Sequence, residues 1–319
     1  MKSRKKKPKY LDPTVDFVFK KVFGTEQNKP ILIDLLKSIL NIDIHSIVLN
    51  NSELIKNTSD EKAPRLDVLA TLGTGEIVDI EIQISTKALM DKRALFYGAK
   101  LIASQNMEGE NYGELVPVYV VVIANFIWDP DSPNMIQKFV LKNDESNKAL
   151  TPEKPILAIY FVEFNKLKLH NEIPKSQLEQ WLLFFKSPDE DTMTKLKMSS
   201  ENLSKAVSEL EYVRLSRADR ALYDAKIARV RDDNTRVSSA RIEGEEIGLQ
   251  KGLQTAHMKA LERFQKQAVK RFPALSPATQ HTIFMMNESQ LDQQYEMIID
   301  YPDQKSFEIE LQKIAESHK

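Results

Sequence analysis

Arg65-Leu66-Asp67-Val68-Leu69-Ala70, then Gly73-Thr74-Gly75, then Asp79-Ile80-Glu81-Ile82-Gln83 is the stretch on which the fold of this chain turns. Both flanks alternate with period two, and the short Gly-rich loop between them suits a β-hairpin. With the loop centred on Thr74, Asp67 lies opposite Glu81, Arg65 opposite Gln83 and Leu69 opposite Asp79. Directly opposed side chains stand about 5 Å apart at Cβ. Two carboxylates at that spacing repel one another unless a cation sits between them, and oxygen-only ligation suits Mg²⁺ or Mn²⁺. Asp67, Glu81 and Gln83 share one face; Leu66, Val68, Ile80, Ile82 and Ile84 share the other. The alternation by itself fits a surface-exposed acidic hairpin as well as a metal site. Asp79 lies on the acidic face but nearer the turn, where solvation is expected. The register rests on the loop length, and a slip of one residue would separate Asp67 from Glu81.

Outward from the hairpin, the chain reads as α/β. Residues 14–40 carry two helical patterns. Phe19, Val22 and Phe23 fall on one face of the first, with Thr14 as its expected N-cap and Gly24 at its end. Asp16 and Lys20, four apart, share a face. Pro30 opens the second helix, which carries Ile31, Leu35, Leu36 and Leu40. Ile47-Val48-Leu49 is a short strand. A helix from about Lys87 to Met107 presents Arg93 and Lys100 on a common face, with Tyr97 between them. The near-continuous β-branched run in 117–127 predicts a strand buried on both sides. Further strands are expected at 136–141 and 156–164, and a helix near 175–186. Strands with interspersed helices make an α/β domain over residues 11–188.

Beyond Pro188 the strand signal stops. Helical segments are expected over 189–210 and 215–271, and residues 189–255 read as a helical connector. Gly244, Gly248 and Gly252 recur every four residues within it, each weakening a helix by about 1 kcal/mol relative to Ala. Residues 256–319 read as a small helical domain, broken at Phe272-Pro273, with Ser289 as the expected cap of a helix over 290–299.

Composition narrows the chemistry. The 319 residues contain no cysteine, which excludes disulfides, thiolate zinc sites and a Cys nucleophile. His45, His170, His257, His281 and His318 show no motif spacing. No apolar run approaches the ~20 residues of a membrane helix. Residues 1–10 are a basic tail, expected to be disordered and with no apolar segment after it, so a cytoplasmic protein is expected. The net charge of −1 means that any nucleic-acid surface must come from local clustering of Lys and Arg.

Several segments in order carry a family resemblance. They are Asp16-Phe17-Val18-Phe19-Lys20-Lys21-Val22-Phe23-Gly24, Arg65–Ala70, Ile80-Glu81-Ile82-Gln83, Arg93-Ala94-Leu95-Phe96-Tyr97 and Gly109-Glu110-Asn111-Tyr112, ahead of the Val118–Ile123 strand. Together they resemble the recombination-promoting nucleases of bacteria, also described as transposase-like PD-(D/E)XK nucleases. The resemblance covers roughly residues 10–185 and, more loosely, the tail. It implies a restriction-endonuclease-like core, a mixed sheet flanked by helices, followed by an all-helical C-terminal region. It also implies Mg²⁺-dependent DNA cleavage, with Mn²⁺ as a substitute. Asp67 and Glu81 match the two acidic motif positions and would hold the metal. Gln83 stands where the superfamily more often has Lys, and Asp16 matches the acidic residue of the first helix. Lys20, Arg93, Tyr97 and Lys100 are candidates for contacts to the DNA backbone.

Three functions follow as expectations. The first is a metal-dependent DNA endonuclease that promotes recombination. The second is a non-catalytic DNA-binding or assembly protein on a degenerate nuclease fold, suggested by Gln83 and the near-zero charge. The third is a transposase-like strand-transfer protein. The C-terminal helices are expected to mediate dimerisation or regulation, since one active site cuts one strand and a double-strand cutter commonly pairs two.

Overall fold

A computed structural model of the chain describes residues 9–51, 66–83, 89–105, 112–151, 153–169, 172–186, 189–211 and 215–316. Arg65, Ile84, the segment Gly109–Asn111, His170 and His318 lie outside these residues. The chain divides into two units, Met1–Asp233 and Asn234–Lys319.

The first unit is built on a mixed sheet, six-stranded among the described residues. In chain order its strands are β1 (Ile47–Leu49), β2 (Val68–Leu72), β3 (Ile77–Gln83), β4 (Val118–Ala124), β5 (Ile136–Val140) and β6 (Leu157–Glu163). Their order across the sheet is β1-β2-β3-β4-β6-β5. The β3/β4 and β4/β6 pairs are parallel and the others antiparallel. The hairpin takes the expected register: Val68 pairs with Ile80 and Leu69 with Asp79, a two-fold centre at Thr74. Gly75 lies in that turn at φ +99°, a conformation that only glycine adopts without strain.

All seven residues of β4 are buried, because helices cover both faces of the sheet. One face receives α1 (Asp16–Phe23), α2 (Lys29–Leu40) and α4 (Gln177–Lys186), in a core with Val68, Ile80, Val121 and Val162. Its centre is aromatic, with the Phe19 and Phe23 rings 4.8 Å apart and Trp181 5.8 Å from Phe23. The other face receives α3 (Met90–Ala103), whose Met90, Ala94, Tyr97 and Leu101 pack with Leu69, Val120 and Val122. Leu66 joins this second core rather than the first, because it precedes the start of β2 and is outside its alternation.

Local signals mostly act as expected, with three exceptions. Val15, not Thr14, occupies the N-cap of α1, because the Thr14 hydroxyl and amide both donate to Asp12 Oδ1 in a local turn. Tyr10, the last residue of the basic segment, is buried and bridged to Glu211. Asn287, not Ser289, caps the helix over Glu288–Met297 through a reciprocal capping box with Gln290.

The change of pattern at Pro188 is not a change of core. Helices α5 (Glu190–Lys197) and α6 (Glu201–Glu209) bury Met193, Leu196, Leu203, Ala206 and Val207 in the same core as α1 and α2. Helix α7 (Arg217–Arg271) follows and contributes Tyr223 to that core.

In the second unit, α8 (Pro277–Met285), α9 (Glu288–Met297) and α10 (Gln304–Glu316) surround the end of α7. Their core is Leu261, Phe264, Phe272, Ile283, Leu291, Ile298, Phe307 and Leu311. Helix α7 ends at Arg271, at the expected break.

Candidate active site

The hairpin register brings Asp67, just ahead of β2, beside Glu81 in the middle of β3. The two are interlocked through the backbone. The Asp67 amide donates to Glu81 Oε1 at 3.1 Å, and the Ile82 amide donates to Asp67 Oδ2 at 3.0 Å. Each carboxylate is thus held in place by the neighbouring strand, as a preorganised pair requires.

Two cations approach the pair from opposite faces of the sheet. Lys20, from α1, places Nζ 2.9 Å from Asp67 Oδ1. Arg93, from α3, places Nη2 3.8 Å from Glu81 Oε2. It also donates through Nη1 to Gln83 Oε1 at 3.3 Å and through Nη2 to the Tyr97 hydroxyl at 3.3 Å. Arg93 therefore joins the β3 acid to the Gln two residues on.

Burial decides the electrostatics. The Glu81 side chain is 5% exposed, and its pKa is pushed up to about 7, first by burial and then by the charge of Asp67. The Asp67 amide, Arg93 and Lys20 oppose that rise. Asp79, expected to be solvated, is fully buried. The reason is tertiary: its face of β3 is covered by α3, and it sits between Leu69 across the hairpin and Val120 on β4. Neither of its carboxylate oxygens has a hydrogen-bond partner among the described residues. Burial pushes its pKa well above the usual carboxylate range, and Glu81 and Asp67 push it further. A buried polar group without a partner costs on the order of 1–3 kcal/mol in proteins, so this side chain destabilises the fold it belongs to.

Asp16 stands at the start of α1 and pairs with Lys226 of α7 at 3.0 Å rather than with Lys20. A cleft of about 220 Å³ opens here, lined by Asp16, Ile82, Gln83, Lys226 and Arg229 among others. Nothing in the sequence pattern pointed to Lys226 or Arg229, because about 200 residues separate them from Asp16. Of the helix-α3 candidates, Arg93 reaches Glu81 and Gln83, and Tyr97 packs into the core. Lys100 lies over the Phe96 ring, 5.9 Å from its centroid.

The donor set at this centre is oxygen only, with two interlocked carboxylates and a third, buried and unpartnered among the described residues, on the same strand. That chemistry fits a hard divalent cation better than a soft one. Among the described residues no three carboxylate or imidazole groups converge into a ready-made metal cage. The remaining ligands would therefore be water or substrate, as is usual for Mg²⁺. No helix among the described residues is long and apolar enough to cross a membrane.

A family model described as PD-(D/E)XK nuclease family transposase matches residues 13–240, a span that contains every residue of this centre. No curated protein and no solved structure matches the chain.

Proposed function

We propose that this chain, which belongs to the PD-(D/E)XK nuclease family transposases, hydrolyses DNA phosphodiester bonds at the Asp67–Glu81 centre. The observation that carries the reading is the interlocked pair, with Asp67 and Glu81 fixed by each other's strands beside Lys20, Arg93 and Gln83. Asp67 and Glu81 would hold Mg²⁺ or Mn²⁺. Such a cation, when bound, supplies an acidified water and offsets the charge that develops on phosphorus.

The chain's own residues have distinct parts. The Ile82 amide and Lys20 each hold one oxygen of Asp67, which fixes the orientation of that carboxylate. Gln83 can orient a water by hydrogen bonding but cannot carry charge, so positive charge beside the pair comes from Lys20 and Arg93. Both would meet phosphate oxygens once DNA enters. Asp16, held by Lys226, lines the cleft beside Gln83 and is suited to orient a water or a second cation.

Cleavage of supercoiled plasmid tests the reading. Nicking or linearisation with Mg²⁺ or Mn²⁺, lost in EDTA and in Asp67→Ala, is the expected result. Intact plasmid throughout, with DNA still retarded in a gel shift, would support instead the binding protein on a nuclease scaffold. The family's description as a transposase favours a second reading, strand transfer. Joined products from a labelled donor end would identify it. Dimerisation through the C-terminal helices would pair two such centres for a double-strand break, and a monomeric mass at micromolar concentration would count against it.

A further inference from the structure

Asp79 has no part in the interlock between Asp67 and Glu81, yet it is the most deeply buried acid of the three. It lies two residues before Glu81 on β3, so both side chains leave the sheet on the same face. Its surroundings are otherwise apolar, Leu69 across the hairpin and Val120 on the neighbouring strand. Both oxygens are acceptors without a donor among the described residues. An ionised carboxylate only accepts, so what would satisfy this group is a cluster of donors arriving from the Glu81 side.

We propose that Asp79 is the outer carboxylate of the divalent-cation site, accepting hydrogen bonds from the waters that a cation held by Asp67 and Glu81 brings with it. Mg²⁺ and Mn²⁺ suit this arrangement, since Mg²⁺ parts with water reluctantly and keeps several water ligands when bound by one or two carboxylates. Two unused acceptor oxygens match such donors, and no third direct ligand has to converge on the metal. Outer groups of this kind set metal affinity, and their loss typically weakens binding 10–100-fold. The group that destabilises the metal-free fold is thus the group that strengthens its hold on the cation.

This inference rests on the reading of Asp67 and Glu81 as the cation-holding pair, and the test separates the two. Mn²⁺ binding to the full-length protein, without DNA, is followed by the loss of the free-ion paramagnetic resonance signal. Thermal unfolding is recorded in EDTA and in Mn²⁺. Asp79→Asn and Asp79→Val are compared with the wild type, Asp67→Asn and Glu81→Gln. The expected result is a Kd for Mn²⁺ at least about tenfold weaker in both Asp79 variants, with a melting temperature in EDTA equal to or above that of the wild type. Asp79→Val fits the apolar surroundings and covers the case in which the Asn variant folds poorly. If Asp67→Asn and Glu81→Gln lose Mn²⁺ while both Asp79 variants bind it as tightly as the wild type, the inference is overturned and the reading of the pair stands. If the wild type binds no Mn²⁺, or Asp67→Asn and Glu81→Gln bind it undiminished, the pair itself is misread and the inference falls with it.

Discussion

Glu81 carries a proton at pH values where an exposed glutamate has lost it. Its pKa rises from 4.5 to about 7, chiefly because burial penalises the charged form. Between those two values the unfolded chain binds fewer protons than the folded one, so stability falls as pH rises through this window. The loss is absent below about pH 4.5 and complete above about 7. Each tenfold difference in proton affinity between the folded and unfolded chain is worth about 1.4 kcal/mol. Asp79, raised for the same reason, adds in the same direction. Urea denaturation in EDTA is therefore expected to give a lower stability at about pH 8 than at about pH 5.5 from these groups. Glu81→Gln, neutral at every pH, is expected to flatten part of that slope, and an unchanged slope would show that Glu81 titrates normally. A divalent cation held by this pair, as proposed, would reverse the preference, because it would favour the ionised carboxylates.

Among the elements, the hairpin governs the site. Its turn fixes which β2 residue faces which β3 residue, and Gly75 holds the one positive φ among the described glycines. Gly75→Ala is expected to cost about 1–2 kcal/mol, the penalty for a Cβ in a left-handed conformation, measured as a shift in the urea midpoint. Helix α7 presents the opposite case. A Cβ added at Gly244, Gly248 or Gly252 would meet no atom within 4 Å among the described residues. These glycines therefore make no close contact among the described residues, and each weakens the helix relative to Ala. Gly248→Ala is expected to stabilise that stretch by up to about 1 kcal/mol, read as slower amide exchange in the turns of α7 around it. Faster exchange would show that the glycine is needed for a conformation other than the helix.

For the whole molecule, the chain divides into compact units at Asp233. A chain cut at residue 188 would lose Met193, Leu196, Leu203, Ala206 and Val207 from the core that holds α1. Burial of the larger of these side chains is worth about 1.5–3 kcal/mol each, so such a chain is expected not to fold. A chain ending at Asp233 keeps that core, and is expected to unfold cooperatively with near-native circular dichroism. A folded product of the shorter cut, or an unfolded product of the longer one, would contradict this boundary.

Much of this was legible in the residues themselves. Period-two alternation around a Gly-rich turn determined the hairpin and its register, because side-chain direction in a strand is set locally by the pleat. The β-branched run of 118–124 determined a strand buried on both sides, and the acids at positions 67 and 81 could be paired from the loop length alone. What the tertiary structure decided is what depends on covering. Asp79 looked solvated because a sequence shows a polar residue near a turn, whereas the packing of α3 on that face of the sheet buries it. Lys20 was set beside Asp16 by helical spacing, yet the packing of α1 on the sheet turns it to Asp67 and leaves Asp16 to Lys226. Local geometry is written in neighbouring residues; burial and ion pairing arise from segments brought together across the chain, and those only the folded molecule can assign.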